Sequence, residues 1–184
     1  MKILYLALGY LISLPARLKG MKFGNNSFIA PGYDCLAVRL KGVILGDDVK
    51  IGRNAWIGIN GDDPDSKIII GDSSSIGRSV TLSCLKGIKI GRKCLFSYNV
   101  SVLDHDHDVS DLNLAPVDSG LTNAEEVAIE DECFIGAHSF ILKGVRLGRH
   151  CVVGANSVVT RSFPANSVIA GAPAKLIRML ETKD

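Results

Sequence analysis

The segment VSVLDHDHDVSD, from Val100 to Asp111, places alternating acidic and imidazole side chains directly after a run of aliphatic residues. A neutral imidazole can accept a proton near pH 7, and a carboxylate beside it can fix its tautomer and stabilise its protonated form. Imidazoles and carboxylates are also zinc ligands. The segment therefore predicts a general base, either His105 or His107, or part of a metal site. A solvated polar turn without chemistry is the third interpretation.

The local geometry of this segment limits which carboxylate could orient the base. Neighbouring side chains of an extended backbone point to opposite sides, so His105 and His107 should share one side. Asp104, Asp106 and Asp108 should then lie on the other side. We therefore expect that the orienting partner need not be a local carboxylate; a backbone carbonyl or a more distant acid would serve as well.

The composition favours a protein built of aliphatic strands and tight turns. The 184 residues are 47% hydrophobic and only 6% aromatic, and 19 of them are glycine. A net charge of +2 is too small to predict a nucleic-acid partner. The five cysteines are odd in number and lack CxxC spacing, which indicates reduced thiols in a cytoplasmic protein.

Residues 3–14 form an apolar run between Lys2 and Arg17. The run is too short to cross a bilayer, and no small-x-small cleavage site precedes Arg17. We expect an amphipathic helix or a strand here. Loose attachment to a membrane surface through residues 3–14 is the less favoured alternative.

A six-residue repeat of large apolar residues predicts the fold. Its positions are Leu45, Ile51, Ile57, Ile70, Ile76, Leu82, Ile90, Phe96, Val102, Ile129, Ile135, Ile141, Leu147, Val153 and Val159. Glycine often follows the large residue, as at Gly52 and Gly136, and a smaller residue such as Cys133 comes four positions after it. This pattern predicts a short strand with one inward side chain, followed by a turn at a residue that tolerates unusual φ. Three such units close a triangular coil, and coils that stack about 4.8 Å apart form a parallel β-helix.

Interruptions of the repeat indicate the domain organisation. The polar segment 60–66 and the pair Lys86–Gly87 expand two corners, and a long polar excursion occupies residues 104–128. We predict an irregular N-terminal segment with a first coil over 1–40, the β-helix over 41–164, and a C-terminal segment over 165–184. Pro173 and the apolar residues Leu176, Ile177 and Leu180 predict a short helix in the last segment.

A family resemblance is carried by the hexapeptides IGRNAW, IGRSVT and IGRKCL, the block VRLGRHCVVGANSVVTRSFPANSVIAGAPAKLIR and the histidine-bearing loop. Over about residues 40–180 the chain resembles the hexapeptide-repeat acyltransferases, most closely the maltose, galactoside and polysaccharide O-acetyltransferases. The resemblance implies an all-β, left-handed parallel β-helix, a homotrimer, and acetyl-CoA bound in the groove between neighbouring chains. It also implies a sugar or saccharide acceptor and an acyl-transfer reaction.

The resemblance points to two different bases. In galactoside-type relatives the catalytic histidine follows the valine of a P-N-V segment by about seven residues, and counting from Val100 reaches His107. Serine acetyltransferases use an Asp-His pair, which corresponds to Asp104 and His105. We prefer His107. Asn99 and Asp104 are the predicted acceptor contacts.

The resemblance further implies a set of cofactor-binding residues. Small residues of the family contact the pantetheine arm of CoA, and they correspond to Gly136, Ala137, Gly154 and Ala155. A Thr-Lys pair near the cofactor corresponds to Thr160 and Arg161. Basic residues at the CoA phosphates correspond to Lys175 and Arg178, and an aromatic residue next to the cofactor corresponds to Phe134. Lys175 and Arg178 would lie one helical turn apart.

The main rival interpretation is a zinc protein similar to the γ-type carbonic anhydrases, with ligands among His105, His107, His138 and His150. His138 and His150 are twelve residues apart and fall on different corners of a three-sided coil, so they do not converge within one chain. We therefore expect no metal. The predicted function is acetyl-CoA-dependent O-acetylation of a sugar or polysaccharide precursor; acylation of an amine on a nucleotide-linked sugar is the alternative.

Overall fold

A computed structural model describes residues 2–34 and 38–181, with side chains from residue 7 onward. The helices in this part are α1 (Lys2–Ile12), α2 (Leu14–Leu18) and α3 (Pro116–Ser119). The strands are β1 (Lys22–Phe23), β2 (Phe28–Ile29), β3 (Val43–Leu45), β4 (Lys50–Ile51), β5 (Trp56–Ile59), β6 (Lys67–Ile70), β7 (Ser75–Ile76), β8 (Thr81–Cys84), β9 (Gly87–Ile90), β10 (Leu95–Phe96), β11 (Ser101–Leu103), β12 (Asp106–His107), β13 (Leu121–Thr122), β14 (Val127–Ile129), β15 (Phe134–Ile135), β16 (Phe140–Ile141), β17 (Arg146–Leu147), β18 (Val152–Val153), β19 (Val158–Val159), β20 (Ser167–Gly171) and β21 (Ala174–Met179).

Three sheets, parallel except for the last strand β21, form the sides of a β-solenoid of about six turns. Face A stacks β1, β3, β6, β9, β14 and β17; face B stacks β2, β4, β7, β10, β15, β18, β20 and β21; face C stacks β5, β8, β11, β16 and β19. From β3 to β19 the chain runs from face A to B to C in each coil, and we call the turns between them corners AB, BC and CA. The predicted parallel β-helix is confirmed.

The core is the stack of large apolar residues that the repeat predicted. On face B, Ile76, Phe96, Ile135 and Val153 are successive register partners. Every predicted large position of the repeat is at most 3% exposed. Burial of a large aliphatic side chain contributes about 1.5–3 kcal/mol, so this column is the main source of stability.

The corners differ from the sequence expectation in one respect. The left-handed residue is the third after the large apolar one, as at Asn54 (φ 57°), Asn99 (φ 55°) and His138 (φ 58°). The glycine directly after the apolar residue has ordinary φ, and its role is close approach: a Cβ on Gly77 would lie 2.3 Å from the carbonyl oxygen of Ser97 in the next coil.

The N-terminal helices pack on the first coil. The backbone N–H of Ile29 in β2 donates to Ser13 Oγ at 3.1 Å, and Gly9 lies against the Phe28 ring. We expected a helix or a strand in this segment, and the structure shows two helices. In the part of the chain with coordinates described, no helix has the length and apolar character needed to span a bilayer.

The predicted C-terminal helix is wrong. β21 instead pairs antiparallel with β20 through a tight turn at Ala172 and Pro173. Without it, β20 would leave an edge of unpaired backbone groups, and β21 satisfies them. The apolar pattern that suggested a helix spans only Leu176 to Leu180, which is too short to distinguish helix from strand. Lys175 and Arg178 are therefore strand residues, both exposed.

We expect Gly77→Ala to lower the free energy of unfolding by roughly 1–3 kcal/mol, because the added methyl group would collide with the backbone of the next coil. Ser75→Ala, on the outward side of the same coil, should change it by less than about 0.5 kcal/mol. Urea unfolding of the two variants measures the difference. Equal stability would show that close coil approach does not require this glycine.

Candidate active site

The candidate site forms where β11 ends at corner CA. After Leu103 the chain leaves the strand, and Asp104 and His105 begin the long excursion. The Asp104 side chain turns inward and is completely buried. A buried carboxylate requires donors on both oxygens, because an unpaired buried charge is strongly destabilising.

Three consecutive backbone N–H groups of the preceding coil supply those donors. The N–H of Leu85 donates to Asp104 Oδ1 at 2.7 Å, and the N–H groups of Lys86 and Gly87 donate to Oδ2 at 2.8 and 2.7 Å. Sequence reasoning missed this cradle. Its signal was present, since Lys86 and Gly87 are the two residues that break the six-residue repeat at this corner.

His105 completes the arrangement. Its Nδ1 lies 2.7 Å from Asp104 Oδ1, and its side chain is only 8% exposed. Burial would raise the pKa of the Asp104 carboxyl, but the hydrogen bond from His105 and those from the three backbone N–H groups outweigh it and lower that pKa. The carboxylate is therefore ionised and can only accept. Nδ1 must carry a hydrogen, which leaves the Nε2 lone pair of neutral His105 free to accept a proton.

Two expectations for Asp104 are thereby corrected. It was expected on the opposite side of the chain from His105, but alternation applies to extended strands and β11 has already ended. It was also predicted to contact the acceptor. The carboxylate has no exposed surface with which to contact an acceptor, and it instead holds the His105 ring by a hydrogen bond.

His107 occupies a different environment. It is exposed and lies in β12, which pairs antiparallel with β13 at the base of the excursion. Within the described residues its ring has no hydrogen-bond partner, while the neighbouring Asp106 forms an ion pair with Lys143 of the next coil. The geometry thus provides an orienting carboxylate for His105 and none for His107.

The excursion is a protruding arm with ordered ends. Its returning strand is tied to the site by the N–H of Glu125, which donates to the Asp104 carbonyl at 2.8 Å. At its outer part the arm exposes four large apolar side chains: Val109, Leu112, Leu114 and Val117. Side chains of this kind exposed together indicate a surface that contacts another molecule.

The predicted cofactor residues do not surround His105 within one chain. Gly136, Ala137, Gly154 and Ala155 lie at corner BC, as does the predicted acceptor contact Asn99. Thr160 and Arg161 share corner CA with His105 but follow β19, two coils further along the stack. Phe134 is partly exposed on face B, where β21 also places Lys175 and Arg178.

The histidines do not converge within one chain. His138 lies at corner BC with its ring edge-on to Tyr98, and His150 lies at corner AB with Nε2 at 2.8 Å from Glu132. His105 lies at the third corner. Across residues 2–34 and 38–181, no three His, Cys, Asp or Glu residues are placed to hold a metal ion.

The cysteine nearest the site is a protonated thiol. Burial raises the pKa of Cys84, and the Asp104 carboxylate raises it further. Cys94, Cys133 and Cys151 are buried at the small inward position of the repeat, as predicted for core residues. Cys35 lies outside the described residues. These four thiols therefore offer no exposed nucleophile.

Comparisons with known proteins agree with this architecture. A family model described as the hexapeptide repeat of succinyl-transferase matches residues 67–103 and 126–161. The putative lipopolysaccharide biosynthesis O-acetyl transferase WbbJ of Escherichia coli is 34% identical over 118 residues, covering 60% of this chain and 60% of that protein. A probable acetyltransferase of Mycobacterium tuberculosis is 30% identical over 171 residues, covering 88% of this chain and 55% of that protein. The chain thus spans less than two thirds of the length of either relative.

A solved structure shares the fold. It is AntD, an N-acyltransferase from Bacillus cereus in complex with dTDP and 3-hydroxybutyryl-CoA, with a TM-score of 0.73 and 21% identity. The match covers 90% of this chain and 86% of that one.

We expect Asp104→Asn to lower the free energy of unfolding by roughly 2–4 kcal/mol at pH 7, because an amide cannot accept all four hydrogen bonds. The pKa of Asp104 is lowered on folding, so its stabilisation is complete above the ordinary value of 3.8 and is lost as pH falls through the lowered value. Urea unfolding of both proteins should therefore show a large difference at pH 7 and a smaller one at about pH 2–3.

Asp106→Asn is the matched control. Its carboxylate is exposed and pairs with a partly exposed lysine, so the loss should be below about 1 kcal/mol. If Asp104→Asn were as stable as the wild type at pH 7, the cradle would not hold an ionised carboxylate.

Proposed function

We propose that this chain, which resembles the hexapeptide-repeat acyltransferases in its repeat and its fold, transfers an acetyl group from acetyl-CoA to a hydroxyl of a sugar or polysaccharide precursor. The observation that carries this proposal is the Asp104–His105 pair, whose imidazole is fixed with Nε2 free. The similarity to WbbJ, named as a putative O-acetyl transferase of lipopolysaccharide biosynthesis, supports the acceptor class.

The proposed chemistry is direct transfer. His105 Nε2 accepts the proton of the acceptor hydroxyl while the oxygen attacks the thioester carbonyl, and the buried Asp104 carboxylate stabilises the imidazolium that forms. The tetrahedral intermediate then collapses: the C–S bond breaks, and the imidazolium returns its proton to the CoA sulfur. No acyl-enzyme is required, which agrees with the buried, protonated Cys84.

The proposed catalytic arrangement would be shared between two chains. His105 lies at corner CA, whereas Ala137 and Ala155, the proposed wall for the pantetheine arm, lie at corner BC. Triangular prisms packed side by side around a three-fold axis would be able to bring corner BC of one chain to corner CA of its neighbour. We therefore propose a homotrimer with acetyl-CoA in the seam. The apolar tip of the arm and the partly exposed Phe134 and Phe140 suit contacts between chains.

Charge supports the placement of the cofactor. Lys175 and Arg178 are exposed on β21, at the end of face B, and Arg161 is exposed at corner CA. These side chains can neutralise the phosphates of CoA. Thr160, beside Arg161, completes the proposed contacts. We propose a cytoplasmic location, with which the free thiols agree.

An N-acyltransferase acting on a nucleotide-linked amino sugar is the second candidate. The structural match to AntD, an N-acyltransferase crystallised with dTDP, favours it on the level of fold. The same imidazole would accept the proton of an attacking amine. Thiol release from acetyl-CoA with a panel of saccharides and nucleotide-linked amino sugars distinguishes the two.

We expect His105→Ala to lower kcat by about 10²–10⁴-fold, because the general base is lost. His107→Ala, the matched control in the same loop, should change kcat by less than about tenfold. Initial rates of thiol release measure both. If only His107→Ala were inactive, the base would be His107; full activity of both variants would contradict the proposed site.

We expect Ala155→Leu to raise the KM for acetyl-CoA about tenfold or more while the free energy of unfolding stays within about 0.5 kcal/mol, because a bulkier wall excludes the pantetheine arm from an exposed corner. Ala165→Leu, an exposed alanine at corner AB, is the control and should leave KM unchanged. An unchanged KM for Ala155→Leu would show that corner BC is not part of the cofactor site.

A further inference from the structure

The N-terminal helices bury their small side chains and expose their large ones. Gly9, Ser13 and Ala16, spaced four and three residues apart, lie on the side that packs on the first coil. Ser13 Oγ is buried, where it donates to the Gly9 carbonyl and accepts from Ile29 N–H. A helix that packs only on its own protein normally buries its large apolar side chains and exposes its polar ones.

The outward side of the same helices is apolar. It carries Leu8, Tyr10, Leu11, Leu14 and Leu18, each between 40% and 80% exposed. We call these five residues the leucine face. Because such a contiguous apolar surface is unfavourable in water, it indicates a binding surface.

Charge identifies what covers the leucine face. Residues 1–33 contain Lys2, Arg17, Lys19 and Lys22 and no acidic residue, since Asp34 is the first acid in the sequence. The remaining chain has 17 basic and 19 acidic residues. The excess positive charge of the whole chain is thus concentrated around the leucine face.

One of these charges is held in place beside the leucine face. The Arg17 guanidinium lies 4.5 Å from the centre of the Tyr10 ring and 4.0 Å from that of Phe23, and it donates to the Ser27 carbonyl at 3.2 Å. Its Nε has no hydrogen-bond partner among the described residues. Arg17 also lines a cleft of about 340 Å³ between the helices and the first coil. The carboxylates of the neighbouring coil, Asp47 and Asp48, are bonded to Asn25 and Asn26.

We propose that the leucine face inserts into the interface of an anionic lipid bilayer, with Lys19, Lys22 and Arg17 meeting the phosphate groups. The helices are too short to span a membrane, and an apolar face bordered by basic residues is the pattern of a helix that lies in the headgroup region. A second copy of the chain is a poorer occupant, because it would bring an equally basic segment against this one.

Flotation with vesicles tests this docking independently of catalysis. Wild-type protein should float with vesicles of equal parts phosphatidylglycerol and phosphatidylcholine, and much less with phosphatidylcholine alone. Leu18→Asp should lower the partition coefficient about tenfold or more, because a large buried side chain is lost from the bilayer. Lys19→Glu should weaken binding to the anionic vesicles only.

Two matched controls keep this test specific. Ile177→Asp makes the same kind of change at an exposed aliphatic residue of β21, and Lys67→Glu makes the same charge change on face A; both should bind vesicles like the wild type. The proposal is overturned if wild-type protein does not float with anionic vesicles, or if Leu18→Asp binds as well as wild type or no worse than Ile177→Asp. It is also overturned if sedimentation shows that the wild type forms a larger assembly than Leu18→Asp, since the face would then join copies of the chain.

Discussion

Backbone hydrogen bonding between successive coils is the constraint on which the structure depends. The N–H of Gly52 donates to Ile76 O, and the N–H of Gly71 donates to Ile90 O, each at 2.8 Å. This spacing stacks each large apolar side chain on its register partner. It also removes the room for a Cβ directly after that residue, which explains the recurring glycines. The stacking of the core residues, the close approach at the corners and the six-residue repeat all follow from the distance between hydrogen-bonded strands of successive coils.

The candidate site exists because the chain departs from this regularity twice at the same corner. The extra residues Lys86 and Gly87 turn three backbone N–H groups toward one point. One coil later the chain enters the excursion, and Asp104 fills that point. His105 follows directly, and its hydrogen bond to Asp104 fixes the orientation of its ring. A regular coil would present neither the donors nor a free imidazole.

The sequence was sufficient to predict the fold because periodicity reports burial directly. The positions from Leu45 to Val159 repeat a physical requirement many times over, so single irregularities do not obscure it. The choice between His105 and His107 could not be made in this way, because it depends on where β11 ends and on backbone groups of Leu85 to Gly87, which have no side-chain signature. The prediction of a C-terminal helix was wrong for a related reason. The pairing of β21 depends on the open sheet edge of β20 and not on the sequence of the segment alone.

The Asp104 carboxylate links two layers, since it belongs to one coil and is held by the backbone of the coil before it. Solenoids gain stability mainly from contacts between adjacent repeats. A separation of these two coils by a fraction of an ångström would lengthen the hydrogen bonds to the carboxylate before it disturbed the apolar column. The orientation of the His105 imidazole therefore depends closely on the spacing of these two coils. We expect this orientation to be lost on heating before the whole molecule unfolds.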